Sequence, residues 1–282
     1  MKDLRKIIKG IERLTPVPHA VNQVLAKAQN PKSTMHDVAD VIVYDSVMTA
    51  NMIKMCNSAY FGFLREINSI HDAVVLLGLD QVIEMFLFQC AFENLNNAQE
   101  GYNLAEGQLL KQSIATAMIS KTIAEMLNVK DKHMVFTSAL LKDIGKLVLG
   151  RYVATSLDDI NLLVENNHMS FIEAEKAVLG IDHAELGGLI AENWNFSEKM
   201  IYIIRHHHLL DPPTRKNIET AIVYLAEAIC MRMGVCAESD GAMYDFYDEI
   251  VSLFNFEEQD VDIVIQVFDE KKGKIEAFVQ ME

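Results

Sequence analysis

Apolar positions recur at helical spacing almost from end to end of the chain. Leu4, Ile7, Ile8, Ile11 and Leu14 form one stripe; Val21, Val24, Leu25 and Ala28 form the next, after Pro16 and Pro18. Neither stripe alternates as a half-buried strand would, so both predict helices. Helix start signals are dense. Ser69 with Asp72, Ser170 with Glu173, and Asp182 with Glu185 each set a carboxylate three residues after a capping side chain. Such a carboxylate can reach back to a free backbone N–H at the helix start. Gly78, Gly180 and Gly234 follow apolar runs, where a left-handed C-cap suits glycine. The pattern predicts an all-α chain of about a dozen helices joined by short turns. Longer connections are expected only at 150–156 and 236–246. The polar stretch Glu93 to Gln108 is the expected boundary between two helical lobes, residues 1–95 and 108–282.

Half of the 282 residues are apolar and 23% are charged. A chain of this size can bury a full core without covalent staples. The net charge of −15 argues against nucleic acid as a partner, since a phosphate backbone needs a basic face. It also disfavours an anionic membrane surface. The most apolar stretch, Ala73 to Phe92, is interrupted by Asp80, Gln81, Glu84 and Gln89, so no bilayer span of ~20 apolar residues is expected. Cys56, Cys90, Cys230 and Cys236 have no CxxC spacing and are expected to be buried thiols. The opening Met1-Lys2-Asp3-Leu4-Arg5-Lys6 is charged and lacks the apolar core of a signal peptide. The expected location is the cytoplasm.

The chemistry concentrates around Asp143. Ala139-Leu140-Leu141-Lys142-Asp143-Ile144-Gly145-Lys146-Leu147 places a carboxylate within what reads as an apolar helix. Burial there costs several kcal/mol unless the group is paired or bound to metal. Asp143 therefore needs a partner, either a divalent cation or a cationic side chain. Histidines gather downstream, with His183 in the first turn of one helix and His206, His207 and His208 ending another. Imidazole and carboxylate suit Zn²⁺, Fe²⁺, Mn²⁺ or Ni²⁺. Consecutive helical residues point about 100° apart, so at most two of the three can face one site. A His run at a helix C-terminus also suits the helix dipole without any metal. His71-Asp72 is a literal His-Asp pair, but Asp72 is accounted for as the cap partner of Ser69. Gly187-Gly188 within a helical pattern predicts close helix packing.

Several segments together resemble the HDOD family, the HD-related output domain. They are Leu14-Thr15-Pro16-Val17-Pro18, Asp45-Ser46-Val47-Met48-Thr49-Ala50, Cys56-Asn57-Ser58-Ala59-Tyr60-Phe61-Gly62, and Ile67 to Leu79. The Asp143 segment and Leu179 to Gly187, followed by Trp194, complete the set. The resemblance spans roughly residues 12–210. It implies an all-α fold with an N-terminal helical lobe and a C-terminal lobe similar to HD-type metal-dependent phosphohydrolases.

Those phosphohydrolases use an early His, a His-Asp pair and a later Asp. By the resemblance, these positions hold Gln112, Lys142, Asp143 and Glu227. The additional His positions of two-metal relatives resemble His183 and His206 or His207. The site is thus a degenerate one. An ammonium at Lys142 can replace a metal by pairing with Asp143 or Glu227. Alternatively Lys142 faces solvent, leaving Asp143, His183, His206 and His207 as a residual metal or ligand site. The resemblance implies a non-catalytic bacterial signal-transduction or regulatory protein with no cofactor, acting through signalling proteins or a ligand in the degenerate pocket. The alternative is a phosphohydrolase of nucleotides or cyclic dinucleotides using a divalent transition metal.

Overall fold

The computed structural model describes residues 4–14, 19–30, 32–44, 46–57, 66–167, 169–235 and 246–279. In chain order the helices are α1 (Leu4–Lys9), α2 (His19–Gln29), α3 (Met35–Val43), α4 (Ser46–Cys56), α5 (Ile70–Leu77) and α6 (Leu79–Leu95). Then follow α7 (Gln108–Met126), α8 (Lys132–Leu141), α9 (Lys146–Ala154), α10 (Leu157–Asn167) and α11 (Phe171–Leu179). The last five are α12 (His183–Asn193), α13 (Glu198–His206), α14 (Ile218–Arg232), α15 (Tyr247–Leu253) and α16 (Glu258–Val279). Short 3₁₀ turns span Ile11–Arg13, Glu100–Tyr102 and Pro212–Lys216. No strand occurs among the described residues; one isolated bridge joins Gln99 to Leu104. The fold is all-α. No helix among the described residues is long and apolar enough to cross a membrane.

The chain divides into two units by contact. One comprises Met1–Thr15 and Asn94–Glu270, the other Pro16–Glu93 and Lys271–Glu282. In the smaller unit α3 packs on α2, α4 and α5. Val38, Ala39, Ile42, Met52, Ile70 and Ala73 are buried there, as the helical stripes require. Asn57, just after α4, pairs with the backbone of Ile67. Its amide Nδ2 donates to the Ile67 carbonyl at 2.7 Å, and its Oδ1 accepts from the Ile67 N–H at 2.7 Å.

The larger unit is built on α7, which packs against α8 and α14, while α12 packs on α13. Tight packing of α12 comes from the Gly187-Gly188 pair. A Cβ on Gly188 would meet Arg205 Nε at 2.6 Å, and one on Gly187 would meet Ile204 Cγ2 at 3.1 Å. α1 belongs to this unit because Gly10 lies directly on α9. A Cβ on Gly10 would meet Val148 Cγ1 at 2.6 Å.

Local signals are realised at the helix ends. The Ser170 hydroxyl accepts from the Glu173 N–H, and the Glu173 carboxylate accepts from the Ser170 N–H, a full capping box. Asp182 accepts from the Glu185 N–H, and Ser69 from the Asp72 N–H. Gly78, Gly180 and Gly234 all have positive φ. One expectation is corrected. The segment 150–156 is no loop, because α9 continues to Ala154. The turn at Glu100–Tyr102 lies flat on α9, where a Cβ on Gly101 would meet the Gly150 carbonyl at 2.1 Å. The expected connection at 236–246 falls, except for Phe246, outside the described residues. Cys56 and Cys230 are free and buried, and burial pushes the Cys56 thiol up to about 11. The side chain of Cys90 and all of Cys236 lie outside the described set.

Candidate functional site

Asp143 is not inside a helix. α8 ends at Leu141 and α9 begins at Lys146, so residues 142–145 form a turn. The turn is tightened by i to i+3 bonds from Ile144 N to Leu141 O (3.1 Å) and from Lys146 N to Asp143 O (2.9 Å). Gly145 sets its position. A Cβ there would lie 2.0 Å from the His183 carbonyl oxygen, so only glycine lets the turn rest on the start of α12. The break in the helix is what turns two sequence neighbours into one site. Lys142 is 1% exposed and Asp143 2% exposed.

The Lys142 ammonium donates to Asp143 Oδ2 and to Glu227 Oε1 of α14. Lys146 Nζ, at the start of α9, lies 3.1 Å from Asp143 Oδ1. Burial pulls Lys142 towards its neutral form, but the two carboxylates outweigh it and hold its pKa above the ordinary lysine value. Burial would likewise raise Asp143; Lys142 and Lys146 together hold it well below the usual carboxylate range. This is a buried, paired charge set. Removing one member of such a pair strands the other at a cost of about 3–5 kcal/mol.

A second group adjoins it. Asp143 Oδ1 is 3.7 Å from His183 Nε2 and 3.9 Å from His207 Nε2. His183 and His207 are fully buried and His208 nearly so. The Nε2 atoms of His183 and His208 are 2.9 Å apart. Behind His183 stands Glu175 of α11. Its Oε2 accepts from the His183 backbone N–H at 2.7 Å and lies 2.8 Å from His183 Nδ1. Glu175 Oε1 accepts from the Tyr102 hydroxyl. His207 Nδ1 lies 2.8 Å from the Ile204 carbonyl. Burial, then His208 and Lys142, keep the His207 pKa well below the ordinary imidazole value, so the ring is neutral.

The site residues expected from sequence separate clearly. Lys142, Asp143 and Glu227 meet; His183 and His207 face Asp143. Lys142 does not face solvent. His206 stays outside the cluster. Its ring lies tilted against Tyr202, with centroids 4.6 Å apart, and its Nδ1 is 3.9 Å from Asp211. α13 ends at His206, and the turn that follows swings His207 and His208 inward together. Gln112 is buried on α7, and its Nε2 makes no hydrogen bond among the described residues. His71 takes no part; it pairs with Asp40 at 3.1 Å in the other unit. Sequence reasoning missed Lys146, Glu175 and Tyr102, and of the three consecutive histidines it singled out His206 and His207 where the structure turns His207 and His208 inward. Only Lys146, three residues from Asp143 at a helix start, carried a spacing signal.

An HD-type metal does not fit the Gln112, Lys142, Asp143 and Glu227 positions. The ammonium of Lys142 stands between the two carboxylates that would be ligands, and an ammonium has no lone pair to offer.

Residues 14–210 match the HDOD domain family. An uncharacterized protein of Treponema pallidum (strain Nichols) is 21% identical over 204 residues, 72% of this chain. The chain spans about two-fifths of that relative's length, 39%. Among solved structures, an HDOD domain protein with unknown function from Geobacter sulfurreducens is similar, with TM-score 0.70, 24% identity and 99% of each chain covered. A chain from Marinobacter aquaeolei VT8 with a provisional signal-transduction name has TM-score 0.75 at 20% identity, covering 100% of this chain and 61% of its own. A chain from Shewanella amazonensis SB2B with a provisional phosphohydrolase name has TM-score 0.68 at 20% identity, with 95% of each covered. At these identities the likeness is one of fold.

Proposed function

The chain belongs to the HDOD family, and from that premise we propose that it is a non-catalytic regulatory unit of bacterial signal transduction. It acts in the cytoplasm, through a protein partner or a ligand bound at the degenerate centre. The observation that carries this reading is the Lys142 ammonium held between Asp143 and Glu227. Hydrolysis at an HD-type site needs a metal there to lower the pKa of bound water and to hold the phosphoryl charge. Lys142 supplies the positive charge instead, on an atom that can neither coordinate water as a metal does nor take its proton. The provisional signal-transduction name of the Marinobacter chain agrees with this reading.

The second reading is a metal-dependent phosphohydrolase of nucleotides or cyclic dinucleotides. It draws on the imidazoles beside Asp143. A phosphatase assay separates the two. With Mn²⁺, Fe²⁺, Ni²⁺ or Mg²⁺ supplied, no turnover of nucleotides, cyclic dinucleotides or simple phosphate esters is expected above background. Metal-dependent turnover that Asp143→Ala abolishes would overturn the regulatory reading. The double change Gln112→His with Lys142→His restores two imidazoles beside Asp143 and is expected to add one bound metal equivalent.

A further inference from the structure

Away from Asp143, the starts of α13 and α14 border a groove of their own. Glu198 stands in the first turn of α13 and Glu219 in the first turn of α14. Each helix opens on a capping side chain: Ser197 accepts from the Met200 N–H, and Asn217 from the Thr220 N–H. The groove holds about 240 Å³ and is lined by Glu198, Lys199, Tyr202, Ile203, Asn217 and Glu219. Each glutamate suits the positive end of its own helix. Their charges are nevertheless left unpaired, since neither carboxylate makes an ion pair or hydrogen bond among the described residues. The one ammonium in the wall, Lys199, lies 3.6 Å from Asp131 Oδ2 and so already has a carboxylate. Ile203 is buried, and the Tyr202 ring lies tilted against His206. Together these two side chains give the groove an apolar and aromatic surface between its two negative charges.

The geometry points to a docking groove for an arginine side chain carried on a basic segment of a protein partner. The choice of a protein rests on the regulatory reading above; the choice of arginine rests on the groove. At about 240 Å³ it is smaller than the ~300–1,000 Å³ of small-molecule sites and suits one anchoring side chain at an interface. Two carboxylates set the sign of that side chain. A guanidinium presents several donors in a planar fork and stacks on an aromatic face, whereas an ammonium is a point charge. Ile203 and Tyr202 supply apolar surface for the aliphatic stem. The same molecule makes this combination internally. The Arg215 guanidinium lies 3.6 Å from the Phe246 ring centroid, and its Nη1 donates to Glu249 Oε2 at 3.4 Å. The groove assembles ring and carboxylates from its own wall and takes the arginine from outside. A net charge of −15 steers a basic segment towards the chain.

Ile203 gives the test its reporter. The full chain, labelled at isoleucine methyl groups, is titrated with the blocked tripeptide acetyl-Gly-Arg-Gly-amide and followed by NMR. The control peptide carries citrulline, which keeps the shape of arginine and lacks its charge. A saturable shift of the Ile203 methyl is expected with the arginine peptide, in the millimolar range, and much weaker binding with citrulline. Glu198→Gln with Glu219→Gln should weaken arginine binding by about fivefold. Glu165→Gln, exposed on α10 and outside the groove, should leave it unchanged. If the double variant fails to fold, the arginine and citrulline peptides on the unmodified protein still decide the matter. No saturable shift at Ile203, equal binding of the citrulline peptide, or an equal loss on Glu165→Gln would overturn the groove. Tighter binding of free arginine than of the blocked peptide would make it a small-molecule site and overturn the docking partner. Metal-dependent turnover in the phosphatase assay would overturn the regulatory reading, and the protein partner with it, while the preference for arginine at Ile203 would stand.

Discussion

Two centres share the Asp143 carboxylate and differ in how their polar atoms are matched. On one side the Lys142 ammonium bridges Asp143 and Glu227, and Lys146 stands against the other Asp143 oxygen. On the other, His183, His207 and His208 converge, and His207 Nε2 makes no hydrogen bond among the described residues. Both are buried to the same degree. Burial alone therefore does not set how far a polar centre is satisfied; the count of lone pairs against protons does.

Lys142→Met breaks the first centre and carries the largest expected effect. Asp143 and Glu227 are left buried without their ammonium, and stability should fall by about 3–5 kcal/mol in urea unfolding. A loss within ~0.5 kcal/mol would mean the ion pair is not formed in solution. Gly145→Ala strikes both centres at once, because the new methyl would meet the His183 carbonyl. A loss of about 1–3 kcal/mol is expected in urea unfolding.

Tyr102→Phe sharpens the contrast by touching only the imidazole side. It removes the hydroxyl donor to Glu175, which should cost about 1–2 kcal/mol in urea unfolding. Unchanged stability would show that Glu175 holds His183 unaided. Glu173→Gln lies outside both centres and sets the baseline. The Ser170 hydroxyl and N–H hold the Glu173 pKa below its ordinary 4.5. A carboxylate with a lowered folded pKa stabilises fully above its unfolded value and loses that contribution as the pH falls through the folded one. The difference between wild type and Glu173→Gln, a few tenths of a kcal/mol for so exposed a group, should thus vanish below that lowered pKa.

Much of the fold was legible because helical periodicity and capping are local. Ser170 and Glu173 are three residues apart, and nothing distant can disguise their pairing. The first centre was legible for a different reason. A carboxylate amid Leu140, Leu141 and Ile144 demands a partner wherever it comes from. The second centre was only half legible. Uniform helical geometry through His208 would send consecutive rings in separate directions, yet α13 stops at His206 and the turn gathers the next two. Glu175 and Tyr102 gave no sign, since a glutamate in an amphipathic helix and a tyrosine in a polar segment each have an ordinary surface role. Their burial follows from the glycine contact between Gly101 and Gly150, which joins residues 49 positions apart.

The span between Lys142 and Glu227 has a consequence for biosynthesis. The two partners are 85 residues apart. At about 5–20 residues per second, Glu227 leaves the ribosome roughly 4–17 s after Lys142. Throughout that interval residues 142–146 hold two ammoniums against a single carboxylate, a combination that resists burial in apolar surroundings. Closing the core around the turn is therefore less favourable before α14 is made than after it. Pairing with one acidic side chain made late in translation favours closure of the larger unit only once α14 is available.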